Sequence, residues 1–224
     1  MRKIPDNYSK MIISLHKESG QEWLKNLPSL ISYCEKKWGI RTLEPFELSY
    51  NYVVPAVRDS GEELVLKLSV PNDEFISEVT AITLLKGTNG IVNLIDSDRN
   101  KGVMLLEQVV PGKPLSVVQD DNKATLIATE IMKQLWIESH HLKCIRTTKD
   151  NELSLKRILQ QHPKGIGPIT FERLSNAISI FEKLNASIDR YYLLHGDLHH
   201  FNILSCEKRG WTAIDPKGLM GERE

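Results

Sequence analysis

The sequence predicts an α+β chain of two lobes, a β-rich front and a helical back. Three observations carry this. Strand-like patterns are concentrated between residues 41 and 107. A dense cluster of chain breakers, Pro111-Gly112-Lys113-Pro114, follows. Beyond it, apolar residues recur mostly at three- and four-residue steps. A length of 224 residues suits one large domain or two small lobes sharing a cleft. The expected division is an N-terminal helical segment over 1–39, a front lobe over 40–110 and a back lobe over 111–224.

In the first segment Leu27, Leu30, Ile31, Cys34 and Trp38 make one apolar helical face, and Gly39 closes it. Pro28 lies inside that pattern, so a break is expected there, with Pro28 opening a second helix. The segment reads as a packing element without chemistry. Tyr50-Asn51-Tyr52-Val53-Val54-Pro55-Ala56-Val57 and Glu63-Leu64-Val65-Leu66-Lys67-Leu68 are rich in strand formers. The turn residues Arg58-Asp59-Ser60-Gly61 join them into a β-hairpin. Alternation puts Leu64, Leu66 and Leu68 on one face and Val65 with Lys67 on the other.

Pro71-Asn72-Asp73 opens a helix through about residue 86, stopped by Gly87. Residues 91–95 and 102–107 read as strands around the polar turn 96–100. Past the breaker cluster, helices are expected over about 121–142, 153–161 and 170–188. An apolar–polar–apolar stretch over 191–204 and a short strand over 211–214 complete the chain.

Composition narrows the function. Hydrophobic residues at 41% and charged residues at 26% exclude a disordered or collagen-like chain. Twenty-nine basic residues balance 29 acidic ones, so the electrostatic footprint of a dedicated nucleic-acid binder is missing. No apolar run is long enough to span a bilayer, and the polar N-terminus does not read as a signal peptide. Cys34, Cys144 and Cys206 are widely spaced, forming neither a zinc pattern nor a disulfide framework, which points to a cytoplasmic protein. Nothing in the sequence sets the oligomeric state.

The chemistry is concentrated in His195-Gly196-Asp197-Leu198-His199-His200-Phe201-Asn202, followed by Ile214-Asp215-Pro216. His-x-Asp-x-x-x-x-Asn with a second Asp after a short hairpin is the catalytic-loop pattern of kinase-like phosphotransferases. Asp197 suits a base that aims a substrate hydroxyl and accepts its proton. Asn202 and Asp215 supply the hard oxygens that Mg²⁺ prefers. His195 suits a loop-orienting hydrogen-bond role. Alone, His-Gly-Asp is a weak signal. Lys67 on a strand and Glu78 on the next helix raise it, because such sites hold a phosphate-contacting lysine with a glutamate from the following helix. The bland alternative for Lys67 is a solvated edge lysine; for Glu78, Glu74 on the same helix is a competing partner.

These segments make the chain resemble the aminoglycoside phosphotransferase superfamily, specifically its streptomycin 6-kinase/hydroxyurea-resistance kinase branch. The resemblance rests on Val65-Leu66-Lys67-Leu68, the stretch 78–90, Leu105-Leu106-Glu107, Pro111-Gly112-Lys113-Pro114-Leu115, the loop 194–204 and Trp211-Thr212-Ala213-Ile214-Asp215-Pro216-Lys217-Gly218. It implies a bilobal protein-kinase-like fold with a β-rich N-lobe and a helical C-lobe. It also implies ATP at the interlobe hinge, Mg²⁺, and phosphoryl transfer to a hydroxyl of a small aminoglycoside-like antibiotic. Carried over, Asp197 is the catalytic base, Asn202 and Asp215 the metal ligands, Lys67 the phosphate contact held by Glu78, and Glu107 to Val109 the hinge whose backbone meets adenine. Gly196 stands where protein kinases carry an activation-sensing arginine, so a constitutively competent small-molecule kinase is implied.

Two departures stand out. Ser49-Tyr50-Asn51-Tyr52, in the phosphate-covering position, has no glycine. The resemblance also implies further helices past Glu224 that complete the acceptor pocket, so the expectation is a chain truncated at its C-terminus, with Glu222 and Glu224 candidates for the acceptor side by position only. Two other readings stay open. One is a non-catalytic nucleotide-binding module of kinase-like fold. The other is a metal-dependent hydrolase using His195, Asp197, His199 and His200, for which His140-His141 is the other histidine pair in the sequence.

Overall fold

Helix α1 covers Asp6–Trp38 but bends sharply at Lys17, which leaves helical geometry at φ 54° and ψ −128°. Gly20 sits so close to the preceding turn that a Cβ there would stand 2.6 Å from the Ile12 carbonyl oxygen. In a straight helix eight residues rise about 12 Å, so this contact exists only because the chain folds back, and only glycine fits it. The break expected at Pro28 does not occur; the helix runs through it. Pro28 removes one donor, but Trp23, Leu27 and Cys34 are buried on either side of it, and that packing outweighs the lost bond. Gly39, left-handed at φ 60°, caps the helix with its N–H on the Glu35 carbonyl. This is a computed structural model that describes residues 4–139 and 144–223.

The chain continues through β1 (Ile40–Thr42), β2 (Tyr52–Arg58), β3 (Glu63–Leu68), α2 (Asp73–Leu84), β4 (Leu94–Asp98) and β5 (Val103–Glu107). The five strands form one antiparallel sheet ordered β1-β2-β3-β5-β4. The β2–β3 turn closes with the Gly61 N–H on the Arg58 carbonyl at 2.9 Å. Alternation along β3 separates two cores. Leu64, Leu66 and Leu68, with Val54, Val103 and Leu105, bury against Tyr8, Ile12, Trp23, Leu27 and Cys34 of α1. On the opposite face Val65, Met104 and Leu106 join α2 and the second half of the chain. Lys67 shares that opposite face. β4 lies three residues later than expected, running to Asp98, because Ile91 pairs instead with Ala213 in a parallel bridge.

After β6 (Pro111–Pro114) come a 3₁₀ turn at Leu115–Val117, α3 (Asp121–Leu135), β7 (Ile137–Glu138), β8 (Arg146–Thr147), α4 (Thr148–Gln161), the small hairpin β9 (Gly165–Ile166) and β10 (Ile169–Thr170), and α5 (Phe171–Ser187). β11 (Tyr192–Leu194), β12 (Ile203–Cys206), β13 (Gly210–Ala213) and β14 (Leu219–Gly221) follow. The breaker cluster forms an edge strand, β6, paired with β12. α3 ends seven residues earlier than expected. Ile137 and Glu138 leave the helix to pair with Leu193 and Tyr192 of β11, and Leu142 lies outside the described residues. α4 starts five residues earlier than expected, at a capping box in which Thr147 and Asp150 satisfy each other's backbone N–H. Among the described residues no helix is long and apolar enough to cross a membrane.

Candidate active site

β3 presents Lys67 to the interior, and α2, N-capped by Asn72 and set along the sheet, brings Glu78 onto it. Lys67 Nζ donates to Glu78 Oε1 at 2.6 Å and to Asp215 Oδ1 at 3.1 Å. Glu78, not Glu74, is the partner. The lysine side chain is 3% exposed and the Asp215 side chain 43%, so the chain of charges runs from the interior to an open cleft. Burial pulls the Lys67 ammonium down, but the two carboxylates outweigh it and hold its pKa above the ordinary lysine value. Burial pushes the Glu78 carboxyl up, and Lys67 reverses this only in part.

The catalytic-loop segment lies between β11 and β12. His195 is buried, and both ring nitrogens have partners: Nε2 donates to the Ile214 carbonyl at 2.9 Å, and Nδ1 accepts from the Asp197 N–H at 3.3 Å. Desolvation lowers its pKa to about 4, so the ring is neutral at physiological pH. Asn202 Nδ2 donates to the Asp197 carbonyl at 3.0 Å, and the Asn202 carbonyl accepts the Ile214 N–H at 2.9 Å. Ile214 is therefore pinned from both sides, which sets the position of Asp215. Asp215 itself is left-handed at φ 56°, a conformation that Asp tolerates better than most residues and that the surrounding bonds enforce. Lys67, Glu78, Asp197, Asn202 and Asp215 all line one cavity of about 940 Å³.

Over residues 40–224 the chain matches the family described as aminoglycoside/hydroxyurea antibiotic resistance kinase. The chain belongs to that family. It is 27% identical over 230 residues to the streptomycin 6-kinase of Streptomyces griseus, an alignment covering 98% of this chain and 71% of the relative. It is 31% identical over 211 residues to the hydroxyurea phosphotransferase of Kitasatospora aureofaciens, covering 91% and 60% respectively. Among solved structures the fold is similar to that of choline kinase LicA from Streptococcus pneumoniae, with a TM-score of 0.60 at 15% identity over 88% of this chain and 71% of that one.

In this antibiotic-resistance kinase Glu107 and Val109 do not line the 940 Å³ cavity. Glu107 ends β5 and accepts from Arg209 and from the Asn93 N–H, and these bonds outweigh burial to hold its carboxyl below the usual range. Val109 packs on the shared core. The kinase also places residues in the cleft that sequence reasoning passed over. Leu15 and His16, at the bend of α1, line it; Ser49, Tyr50 and Asn51 of the expected phosphate-covering segment line it too, Asn51 held by Ser69 Oγ at 2.5 Å. A second cavity of about 850 Å³ adjoins it, with Asp73, Glu74 and Lys217 common to both. Asp73 and Glu74 line both cavities and Glu222 lines neither; Glu224 lies outside the described residues. His199 Nδ1 accepts from the Phe201 N–H at 3.2 Å. With His195 also spent internally, the histidines of this loop do not converge as a zinc set, and His140-His141 lies outside the described residues. Among the described residues no group of three or more His, Cys, Asp and Glu is placed to hold a metal ion.

Proposed function

We propose that the kinase is an ATP- and Mg²⁺-dependent O-phosphotransferase that acts in the cytoplasm on a streptomycin-like aminocyclitol antibiotic. The observation that carries this reading is the contact of Lys67 with both Glu78 and Asp215, 148 residues away, in the cavity that also holds Asp197 and Asn202. Lys67, fixed as a cation, binds the nucleotide phosphates. Asn202 and Asp215 fit a magnesium ion: the Asn202 amide nitrogen is engaged by the Asp197 carbonyl, leaving its oxygen for a cation, and Asp215 has one carboxylate oxygen beyond the one bonded to Lys67. Such an ion, when bound, neutralises phosphate charge and orients the triphosphate.

Asp197 aims the acceptor hydroxyl and accepts its proton as the oxygen attacks phosphorus. His195, neutral, keeps the Asp197 backbone in place and transfers no proton itself. The acceptor approaches through the 850 Å³ cavity, where Asp73 and Glu74 offer negative charge to a cationic sugar. The three thiols, all unpaired, fit a reducing compartment.

The test is a mass-spectrometric transfer assay with ATP and Mg²⁺, offering streptomycin, other aminoglycosides and hydroxyurea in parallel. A phosphorylated product with streptomycin or a related aminocyclitol is expected, with Mg·ATP binding weakened in Asp215→Ala. Product with hydroxyurea alone, or nucleotide binding with no transfer to any acceptor, would overturn the substrate assignment.

A further inference from the structure

Lys217 has no role in the reaction as described so far, yet the backbone of Lys217 and Gly218 is closely held. Its carbonyl accepts from Ser77 Oγ of α2 at 2.7 Å. The next N–H, of Gly218, donates to the His195 carbonyl at 3.1 Å. Gly218 is left-handed at φ 70°, and a Cβ there would stand 3.0 Å from Ser77 Oγ and 3.2 Å from Ala81 Cβ, so α2 presses directly on this backbone. The Lys217 side chain is largely exposed by contrast, at 62%, and its ammonium stands 3.7 Å from Asp197 Oδ2.

An exposed pair at that distance adds little to stability, so the tight anchoring of this backbone asks for another explanation. Phosphoryl transfer needs positive charge where the group passes from donor to acceptor. Lys67 and Lys217 are the lysine and arginine side chains that line the 940 Å³ cavity among the described residues. Lys67 is buried and committed to Glu78 and Asp215. Lys217 stands beside Asp197 and is shared with the acceptor-side cavity.

We propose that Lys217 is a catalytic residue whose ammonium contacts the phosphoryl group in flight between the two cavities. This rests on the phosphotransferase reading above. In the step, the bond between the γ-phosphorus and the β,γ-bridging oxygen breaks, leaving ADP. A bond forms from the acceptor hydroxyl oxygen to phosphorus, and the hydroxyl proton passes to the Asp197 carboxylate. Lys217 gives up neither a proton nor an electron pair; it supplies charge that the transition state needs more than the ground state does.

Equilibrium binding of ADP and of ADP–aluminium fluoride, a mimic of the phosphoryl group in transfer, tests this without any acceptor. Lys217→Gln should lose on the order of 100-fold in affinity for ADP–aluminium fluoride while ADP binding stays within about threefold. Lys217→Arg, which keeps the charge, should recover most of that loss. Equal ADP–aluminium fluoride binding by wild type and Lys217→Gln overturns the role of Lys217 alone. An equal loss for both ligands makes it a ground-state nucleotide contact and overturns the role as well. A wild-type protein that binds neither ligand overturns the phosphotransferase reading, and this proposal with it.

Discussion

His195 joins the catalytic loop to the Asp215 segment through Nε2, which donates to the Ile214 carbonyl, and through its own carbonyl, which accepts the Gly218 N–H; Nδ1 accepts the Asp197 N–H, and that last bond needs a neutral ring. Burial secures this by lowering its pKa to about 4. The unfolded chain takes up this proton at the ordinary histidine value, so between about pH 6.5 and 4 the unfolded state binds more protons than the folded one. Stability therefore rises with pH across that window and is lost as pH falls through it, by up to about 1.4 kcal/mol per unit and about 3 kcal/mol in all. Urea unfolding of wild type and His195→Gln at pH 7 and pH 5 should show a smaller pH difference in the variant. An unchanged difference would mean that His195 is not the group responsible. Asp197, Asn202 and Asp215, the proposed base and metal ligands, stand out in the sequence because their types and spacing match those that phosphoryl transfer requires. Lys217 does not, because an exposed lysine looks like any solvated one until its distance to Asp197 and the anchoring of its backbone are known.

The elements differ in how far local sequence determines them. β3 and α2 are readable because alternation, the Asn72 cap and the apolar positions of α2 agree with the packing they meet. The end of α3 is not legible locally, since a helical apolar pattern cannot reveal that Ile137 and Glu138 find a strand partner in β11, more than 50 residues later. The start of α4 is encoded in Thr147-x-x-Asp150, a capping signal that apolar periodicity does not reveal because the first turn carries no apolar residue. Pro28 shows the reverse, a breaker overridden by burial. α1 acts as the back wall of the sheet that carries Lys67, and Leu27 is fully buried in that contact. Leu27→Ala should cost about 3 kcal/mol of unfolding free energy, with turnover per folded molecule unchanged. A stability loss below about 1 kcal/mol would mean that α1 is not integral to the front core.

At the scale of the whole molecule, the proposed function depends on two chain segments far apart in sequence meeting across one cleft. The sheet and α2 deliver a buried cation; the loop after β11 and the turn after β13 deliver the acids and the amide. The α+β character is visible in the sequence as strand-like alternation before the breaker cluster and mostly helical spacing after it, although the second half also carries the short strands β6 to β14. How closely the halves meet is not visible there, because the joining contacts are tertiary: Ile91 with Ala213, Ser77 with the Lys217 carbonyl, and Lys67 with Asp215. The most direct test of the cleft's assigned chemistry is single-turnover phosphate transfer from Mg·ATP to streptomycin by Asp197→Ala, with nucleotide affinity measured on the same sample. Transfer should fall by at least about 1000-fold while the nucleotide Kd stays within about threefold of wild type. Transfer at the wild-type rate would show that Asp197 is not the base and that the reaction has been placed at the wrong carboxylate.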